Sequence, residues 1–362
     1  MNKQIPKYIV VADWLRQSIK NSCFKIGNKL ISENQICEKF DVSRHTARQA
    51  IALLEREGLV IKKQGSGTYV NGHTEKPRHK NIGILTTYIS DYIFPNLISG
   101  IQDVLSRHDY QMTLRLTQNK IENERRQLQT LLSLDIDGLI VEATKSALPS
   151  PNLDLYQKFI EHHIPMVFVH AYPTTLSLDC NYIINDDEMG GRLAARHLIE
   201  NGHKKIGGIF KFDDIQGSLR YKGAIMEIYK HGLMIDENSI IWYSTETMDQ
   251  LFSKDFLRHT IDRLAGCTAI ICYNDQIALM VLQSLGQEGG PHIPDDLSVV
   301  SFDDSNLAKI AVPALTSVTH PGDDLGRLAT ESLLSTIENP HHEIRHTYKP
   351  ELIVRSSVKR LK

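Results

Sequence analysis

The chain of 362 residues lacks any long apolar run, and it is poor in cysteine. No stretch approaches the roughly 18 consecutive apolar residues that a membrane-spanning helix needs, and the opening residues Met-Asn-Lys-Gln-Ile-Pro are not followed by the apolar segment of a secretion signal. The five cysteines are scattered and show no Cys-x-x-Cys spacing. These absences argue against membrane and disulfide-stabilised secreted proteins, and they predict a cytoplasmic protein with reduced thiols.

Sequence motifs of catalysis are absent as well. The 16 histidines include no His-Glu-x-x-His zinc motif and no Cys/His cluster with metal-ligand spacing, so neither a metal nor another cofactor is predicted. The Gly-rich segment at 65–67 is too short for a phosphate loop and lacks its Gly-Lys-Ser/Thr ending. Two carboxylates, Glu142 and Asp303, leave a glycosidase as an alternative hypothesis, which consumption of a pentose or pentoside would support.

The near-neutral total charge conceals two oppositely charged parts. The chain holds 41 Lys and Arg against 43 Asp and Glu, but residues 1–80 hold 15 against 7 and the remainder holds 26 against 36. A basic head on an acidic body is typical of a nucleic-acid-binding module attached to another domain.

Residues 28–70 have the pattern of a winged helix-turn-helix. Ser32 precedes Gln35 by three residues, which is the spacing of a capping box, and Ser43 is a good N-cap for a second helix. The apolar stripe of that second helix is Ala47, Ala50, Ile51 and Leu54. Gly58 is predicted to end the helix in the left-handed conformation, and two short strands then flank a basic, Gly-rich tip at 62–67 that forms the wing.

This segment resembles the DNA-binding domain of the gluconate-repressor (GntR) family. Exposed arginines alone fit a solvated helix face about as well as a DNA contact, but a Gly-rich tip with two lysines is hard to explain by packing. The resemblance implies that the start of the second helix lies in the major groove and that the wing lies in or near the minor groove. The predicted DNA-binding residues are Lys7, Glu33, Ser43, Arg44, His45, Thr46, Arg48, Lys63, Gln64, Gly65 and Ser66.

From residue 81 onward, short apolar strands alternate with amphipathic helices. Examples are the strand Asn81–Thr86, the helix Phe94–His108 and the strand Met112–Leu116. This alternation predicts parallel sheets covered by helices, and about 280 residues exceed one comfortable open sheet, so two α/β lobes are expected. The polar segment 71–80, broken by Gly72 and Pro77, is predicted to be a linker.

The body resembles the effector domain of the lactose/galactose-repressor family. The motifs that carry this resemblance occur in the family's order and are Gly190–Ile206, Ile271–Ala278, Ile293–Asp304 and Leu315–Val318. The resemblance implies the fold of the periplasmic sugar-binding proteins, with two α/β lobes, three crossovers and a ligand in the cleft. A GntR-type head at 1–70, a linker at 71–80 and such a body at 81–362 together resemble the arabinose repressors of Gram-positive bacteria, and the loop 85–95 strengthens that resemblance.

The predicted effector site follows from the position of polar side chains at the carboxyl ends of strands, where ligands bind in open α/β sheets. The candidates are Asp91, Tyr92, Phe94, Glu142, His170, Asp186, Arg220, Asn274, Asp303 and His320. Arg220, Asn274 and Asp303 match positions that hold sugar hydroxyls in the family. Capping of the next helix is the alternative role for Asp91 and Asp186, and His320 fits a hinge position as well as a cleft position.

The resemblance implies a sugar-responsive transcriptional repressor and not an enzyme. Such a protein binds operator DNA as a homodimer and is released by a small sugar, with L-arabinose expected and another mono- or disaccharide as the alternative. A transport-linked sugar-binding protein is a further alternative, which the basic head disfavours and cell fractionation would reveal.

Overall fold

The computed structural model describes residues 6–20, 23–25, 27–56, 58–63, 66–71, 79–89, 93–173, 180–251, 253–287, 290–340 and 342–361. The chain divides into two compact units, Met1–Arg78 and His79–Lys362, called the head and the body below. In the described residues no helix is long and apolar enough to cross a membrane.

The head is a three-helix unit followed by a hairpin. Its elements are α1 (Lys7–Lys20), α2 (Glu33–Phe40), α3 (Arg44–Arg56), β1 (Val60–Lys63) and β2 (Gly67–Val70). The predicted capping box at the start of α2 is confirmed, because the Ser32 hydroxyl accepts from the Gln35 backbone and the Gln35 side chain accepts from the Ser32 backbone. The predicted apolar stripe of α3 is fully buried against α1, where Leu15 completes the core.

The two strands of the head form an antiparallel hairpin. Val60 pairs with Val70 and Lys63 pairs with Gly67, which places the connection between them at the tip. Gly58 ends the preceding helix with φ of +73°, a left-handed conformation that costs glycine little, so its predicted role is confirmed. The predicted linker falls mostly at 72–78, outside the described residues.

The body alternates strands and helices, as its pattern predicts. In chain order the elements are β3 (Asn81–Thr86), α4 (Phe94–Arg107), β4 (Gln111–Leu116), α5 (Ile121–Leu132), β5 (Gly138–Val141), α6 (Leu153–Glu161), β6 (Met166–Val169), β7 (Asn181–Asn185), α7 (Asp187–Glu200), β8 (Ile206–Lys211), α8 (Ile215–Lys230), β9 (Ile240–Tyr243), α9 (Lys254–Leu264), β10 (Ala269–Cys272), α10 (Asp275–Gln287), β11 (Ser298–Asp303), α11 (Asn306–Ile310), β12 (Thr316–Thr319), α12 (Asp323–Glu338), β13 (Arg345–Tyr348) and β14 (Leu352–Ile353).

These elements form two lobes, each built on its own sheet. The first sheet has the order β13-β7-β6-β5-β3-β4 and is parallel throughout, and the second has the order β14-β12-β11-β10-β8-β9, with only β14 antiparallel in the described pairing. Helices α4 and α12 cover one face of the first sheet, and α5 and α6 cover the other. Helices α7 and α8 cover one face of the second sheet, and α10 and α11 cover the other.

Three chain segments connect the lobes. The chain passes from β7 of the first sheet to α7 on the second, from β12 of the second to α12 on the first, and from β13 of the first to β14 of the second. The expected two-lobed architecture with three crossovers is therefore present. Because every strand up to β7 ends at the same edge of its sheet, polar residues that follow those strands face the cleft between the lobes.

Candidate functional site

The described structure contains two candidate sites, one on the head and one in the body. On the head, the start of α3 presents a polar surface. Arg44, His45 and Arg48 are exposed, whereas the apolar stripe of the same helix points into the core. Ser43 caps the helix by accepting from the Thr46 backbone at 3.2 Å, and the two hydroxyls lie 2.9 Å apart. The cap holds the first turn in place, so the side chains suited to read DNA project from a fixed helix end.

A carboxylate positions one of these arginines. Arg48 Nε donates to Glu33 Oε2 at 2.9 Å, joining the start of α2 to α3, and the Arg48 side chain remains 65% exposed. Lys7 Nζ lies 3.4 Å from the Asp41 carbonyl oxygen in the turn between the two helices.

The wing carries its own cation. Lys63 Nζ lies 5.0 Å from the centroid of the Tyr69 ring, and the Tyr69 hydroxyl is 2.6 Å from Ser66 Oγ. Of the predicted tip residues, Gln64 and Gly65 lie outside the described residues. Lys63 and Ser66 are both exposed beside the tip.

In the body, Glu142 directly follows β5 and is the centre of a buried polar cluster. Its Oε2 accepts from Thr86 Oγ1 at 2.9 Å and from both the backbone nitrogen and the hydroxyl of Thr87 at 2.7 and 2.6 Å. Its Oε1 lies 3.0 Å from His170 Nδ1. Burial opposes ionisation here, but the bonds from His170 and Thr87 hold the pKa of Glu142 below its ordinary value.

Two imidazoles adjoin this carboxylate. His170, which follows β6, and His320, which follows β12 on the second crossover, have ring centroids 5.0 Å apart. The Phe94 ring packs edge-on against His170 at 6.0 Å. Burial lowers the pKa of His320 well below its ordinary value, and the neighbouring His170 and Arg220 lower it further. The predicted candidates Phe94, Glu142, His170 and His320 therefore meet in one place.

Arg220 is the centre of a second buried cluster. Its Nε donates to Asp187 Oδ1 at 2.8 Å, its Nη1 to the Tyr273 carbonyl at 2.6 Å and its Nη2 to Asp303 Oδ1 at 3.4 Å. The guanidinium also lies over the rings of Tyr273 and Phe302. Burial opposes its charge, but the carboxylates of Asp187 and Asp303 raise the pKa of Arg220 above its ordinary value.

The predicted strand-end position of Arg220 is wrong. Arg220 lies in the second turn of α8, six residues into the helix, and it reaches the cleft because that helix packs beside α7. The guanidinium offers five N–H donors, of which three are engaged by the contacts above.

Several other predicted residues serve local structure. Asp186 caps α7 by accepting from the Met189 backbone at 2.9 Å, and Asn274 caps α10 by accepting from the Ile277 backbone at 2.9 Å. The capping alternative thus describes the contacts of Asp186. Asp91 and Tyr92 lie outside the described residues.

Asp187, the residue that pairs with Arg220, is not among the residues predicted from the sequence. It is adjacent to a predicted candidate and follows β7, so the strand-end rule was sufficient to find it. Around it, a small pocket at the crossovers is lined by Asn185, Asp186, Asp187, Gly190, Arg220, Phe302, Asp303, Val318, Thr319 and Pro350.

A further polar network joins the two lobes directly, and we call it the lobe clasp. It consists of Asn119, Lys145 and Ser146 on the first lobe and of Asp213, Asp214, Thr245 and Glu246 on the second. Asn119 Nδ2 donates to Asp214 Oδ1 at 3.1 Å and to Thr245 Oγ1 at 2.7 Å. Ser146 Oγ accepts from the Ile215 backbone at 3.1 Å. These contacts stabilise the lobes in mutual contact.

The chemistry of the cleft suits a polar ligand. Carboxylate, imidazole and guanidinium groups converge there, and each is hydrogen-bonded within the protein. In the described residues no group of three His, Cys, Asp or Glu side chains is arranged to hold a metal ion. Aromatic rings lie beside the polar groups, an arrangement that suits the C–H and O–H surfaces of a small hydroxylated molecule.

The family models that match this chain agree with both units. Residues 7–70 match the model described as "Bacterial regulatory proteins, gntR family", and residues 195–358 match "Periplasmic binding protein-like domain". A periplasmic binding protein/LacI transcriptional regulator from Alkaliphilus metalliredigens, solved with D-xylulofuranose, is 25% identical and superimposes with a TM-score of 0.66 over 77% of this chain and 99% of that one.

Two relatives cover nearly the whole chain. The arabinose metabolism transcriptional repressor of Halalkalibacterium halodurans is 38% identical over 97% of this chain and 96% of its own length. The arabinose metabolism transcriptional repressor of Geobacillus stearothermophilus is 38% identical over 99% of both chains. The chain is therefore a transcriptional regulator and not an enzyme, and it belongs to the family of the arabinose metabolism transcriptional repressors, with a gntR-family head and a periplasmic-binding-protein-like body.

Proposed function

We propose that this protein represses carbohydrate-utilisation genes by binding operator DNA as a homodimer, and that L-arabinose releases it. The observation that carries the proposal is that one chain combines an exposed helix-turn-helix surface with a polar cleft. Its full-length relatives are named for arabinose metabolism. The boundaries that we propose are a DNA-binding domain at 1–70, a linker at 71–80 and an effector and dimerisation domain at 81–362.

On DNA, α3 lies in the major groove and the wing lies in or near the minor groove. Arg44, His45 and Arg48 contact bases or phosphates, since they are exposed on the first turns of a capped helix. Arginine is the side chain best suited to guanine O6 and N7. The remaining proposed contacts are made by Lys7, Glu33, Ser43, Thr46, Lys63, Gln64, Gly65 and Ser66.

In the cleft, the sugar hydroxyls bind to groups from both lobes. Glu142 and His170 come from the first lobe, and Arg220, Asn274 and Asp303 come from the second. Phe94 and Tyr92 supply an apolar face, and Asp91, Asp186 and His320 are further candidates. A ligand that touches both lobes favours the arrangement in which the lobe clasp is formed, because it binds that arrangement more tightly than an open one.

Sugar binding changes the relative positions of the two bodies in the dimer, and this change lowers the affinity of the heads for operator DNA. If sugar lowers operator affinity by some factor, operator must lower sugar affinity by the same factor. A small sugar that binds only one arrangement of the lobes therefore acts as an inducer.

The test is fluorescence anisotropy on an operator fragment selected from a random DNA library. L-arabinose, D-xylose, D-galactose and D-glucose are titrated separately into the protein–DNA complex. The salt concentration is fixed, because phosphate contacts make the affinity for DNA depend on salt. Release by L-arabinose alone is the expected result. Release of the DNA by another sugar would identify that sugar as the effector in place of L-arabinose. DNA binding that no sugar alters would refute the effector proposal.

The DNA contact is tested separately with Arg48→Ala. If Arg48 makes a bidentate base contact, this change costs about 1–3 kcal/mol on operator DNA. Equal weakening on operator and random DNA would refute base recognition by Arg48 and leave only a phosphate contact.

A further inference from the structure

The wing hairpin of the head is extended by a third segment that precedes α2. Lys29 lies opposite Tyr69 in an antiparallel bridge. The Leu30 backbone N–H donates to the Thr68 carbonyl at 2.8 Å, which continues the pairing along β2. Strand β1 pairs with the other edge of β2. Lys29 is therefore part of the wing, although it is not among the DNA-binding residues predicted from the sequence.

The pairing determines which side chains share a face of the wing. Residues opposite each other in an antiparallel pair point to the same face, and so do residues two apart along a strand. Val60 and Val70 point to the inner face and are buried in the core of the head. The outer face, which points away from that core, carries Lys29, Lys63, Gly67 and Tyr69.

The Lys29 side chain lies directly over Gly67. A Cβ at Gly67 would be 2.5 Å from Lys29 Cε and 3.2 Å from its Nζ, so a larger residue would displace the lysine. On the other side, Lys63 is the strand partner of Gly67, and its Nζ lies 5.0 Å from the centroid of the Tyr69 ring. The bare glycine thus lets lysines from both flanking segments approach the same part of the wing, beside its tip.

The lysines on the two faces of the wing differ in their partners. Lys62 points to the inner face, and its Nζ lies 2.9 Å from Glu55 Oε2 on α3. Within the described part of the head, neither Lys29 nor Lys63 forms an ion pair, and both are exposed. The outer face therefore carries two positive charges that no carboxylate neutralises there, and such a face attracts an anion.

We propose that Lys29 is a further DNA-contacting residue, and that Lys29 and Lys63 bind backbone phosphates from the outer face of the wing. This inference rests on the contact between wing and DNA proposed above. Lysine binds a phosphate as a point charge, without the planar fork with which arginine recognises a base. Lys29 therefore adds affinity for DNA that does not depend on its sequence.

The experiment is fluorescence anisotropy of the full chain without sugar, on the selected operator fragment and on a random duplex, at several salt concentrations. Lys29→Met and Lys63→Met each remove one charge, and Lys29→Arg keeps it. Lys29→Gln removes the same charge with a polar side chain, and it replaces Lys29→Met if that variant does not fold. Lys25→Met is the matched control, because Lys25 is an exposed lysine that precedes the third segment at the end of β2 away from the tip.

A lost phosphate contact releases fewer counterions on binding. For Lys29→Met and for Lys63→Met, the slope of log affinity against log salt should become shallower by about one. The affinity of each should fall about five- to tenfold at about 0.1 M salt, on operator and random DNA alike. Lys29→Arg and Lys25→Met should match the parent.

An unchanged slope and affinity in Lys29→Met, or an equal loss in Lys25→Met, would overturn the contact at Lys29 and leave operator binding standing. A loss confined to operator DNA would also overturn it, because it would assign Lys29 to a base. Failure of the parent chain to bind any selected operator would overturn the DNA-binding proposal itself and this inference with it.

Discussion

Replacing Arg220 with methionine is the change that tests the architecture of the cleft most severely. Methionine keeps much of the aliphatic volume between the Tyr273 and Phe302 rings but removes the three hydrogen bonds and the charge. The carboxylates of Asp187 and Asp303 then remain buried without their common cation.

The expected loss of stability is large. Removing one partner of a buried ion pair costs about 3–5 kcal/mol, mainly because the remaining charge is buried and uncompensated. Arg220 serves two carboxylates, so we place Arg220→Met at the upper end of that range. Arg220→Lys keeps the charge but not the planar fork, and it should lose less.

The loss should also depend on pH. Burial raises the pKa of Asp187 above its ordinary value, although Arg220 opposes that rise. A carboxyl whose folded pKa is raised contributes stability that is present below its unfolded pKa and lost as the pH rises through the folded value. Without Arg220 the folded pKa of Asp187 rises further, so the deficit of the variant should be smaller at pH 5.5 than at pH 8.

Urea unfolding measures this loss. In a Trp14→Phe background, Trp242 on β9 is the remaining tryptophan of the chain and reports on the second lobe. Arg126→Met, an exposed arginine on α5, is the matched control and should change stability by less than about 0.5 kcal/mol. A loss no larger than that of the control, or a loss equal at both pH values, would refute the account of this cluster.

Three further predictions concern the head, the clasp and the helix packing. Glu33→Gln removes a negative charge beside the proposed DNA surface and frees Arg48, its ion-pair partner. The affinity for random duplex DNA, measured by anisotropy at low salt, should therefore rise about two- to fivefold. An unchanged affinity would place Glu33 away from DNA. Lys145→Met breaks the interlobe ion pairs with the buried Asp213 and the exposed Glu246. Sugar binding measured by calorimetry should therefore weaken at least about two- to fivefold. An unaltered Kd would show that the clasp does not contribute to closure. Gly223→Ala places a Cβ 1.9 Å from the Glu188 carbonyl oxygen and should lower the free energy of unfolding in urea by about 1–3 kcal/mol or more. In Gly190→Ala the nearest atoms to the new Cβ are side-chain atoms, so this control should lose less stability. Equal losses would contradict the close approach of α7 and α8.

The sequence was sufficient for the parts of the fold that local rules govern. The capping box at Ser32, the N-cap at Ser43 and the left-handed glycine at Gly58 each depend on residues within a few positions of one another. The strand–helix alternation of the body likewise depends on short-range periodicity, so the two-lobed class followed from the pattern together with the family resemblance. Helix and strand bounds differed by only a few residues from the pattern.

Periodicity also located polar residues at strand ends, but it did not determine their contacts. Asp186 and Asp187 are adjacent, yet Asp186 is the half-buried N-cap of α7, whereas Asp187, the first residue of that helix, is buried against Arg220. Only Asp186 was among the predicted residues. Arg220 was predicted at a strand end, whereas the packing of α8 against α7 brings it to the cleft from within a helix.

What the sequence determined by itself was therefore the kind of molecule: a basic helix-turn-helix head, an α/β body and a set of polar strand ends. The tertiary structure alone decided which polar groups meet. Asn119 and Asp214 are 95 positions apart and bond across the lobes. His170 and His320 approach each other because the chain returns from the second lobe to the first after β12. Local propensity acts over a few residues, but a binding site is made by groups whose distance depends on the packing of whole elements.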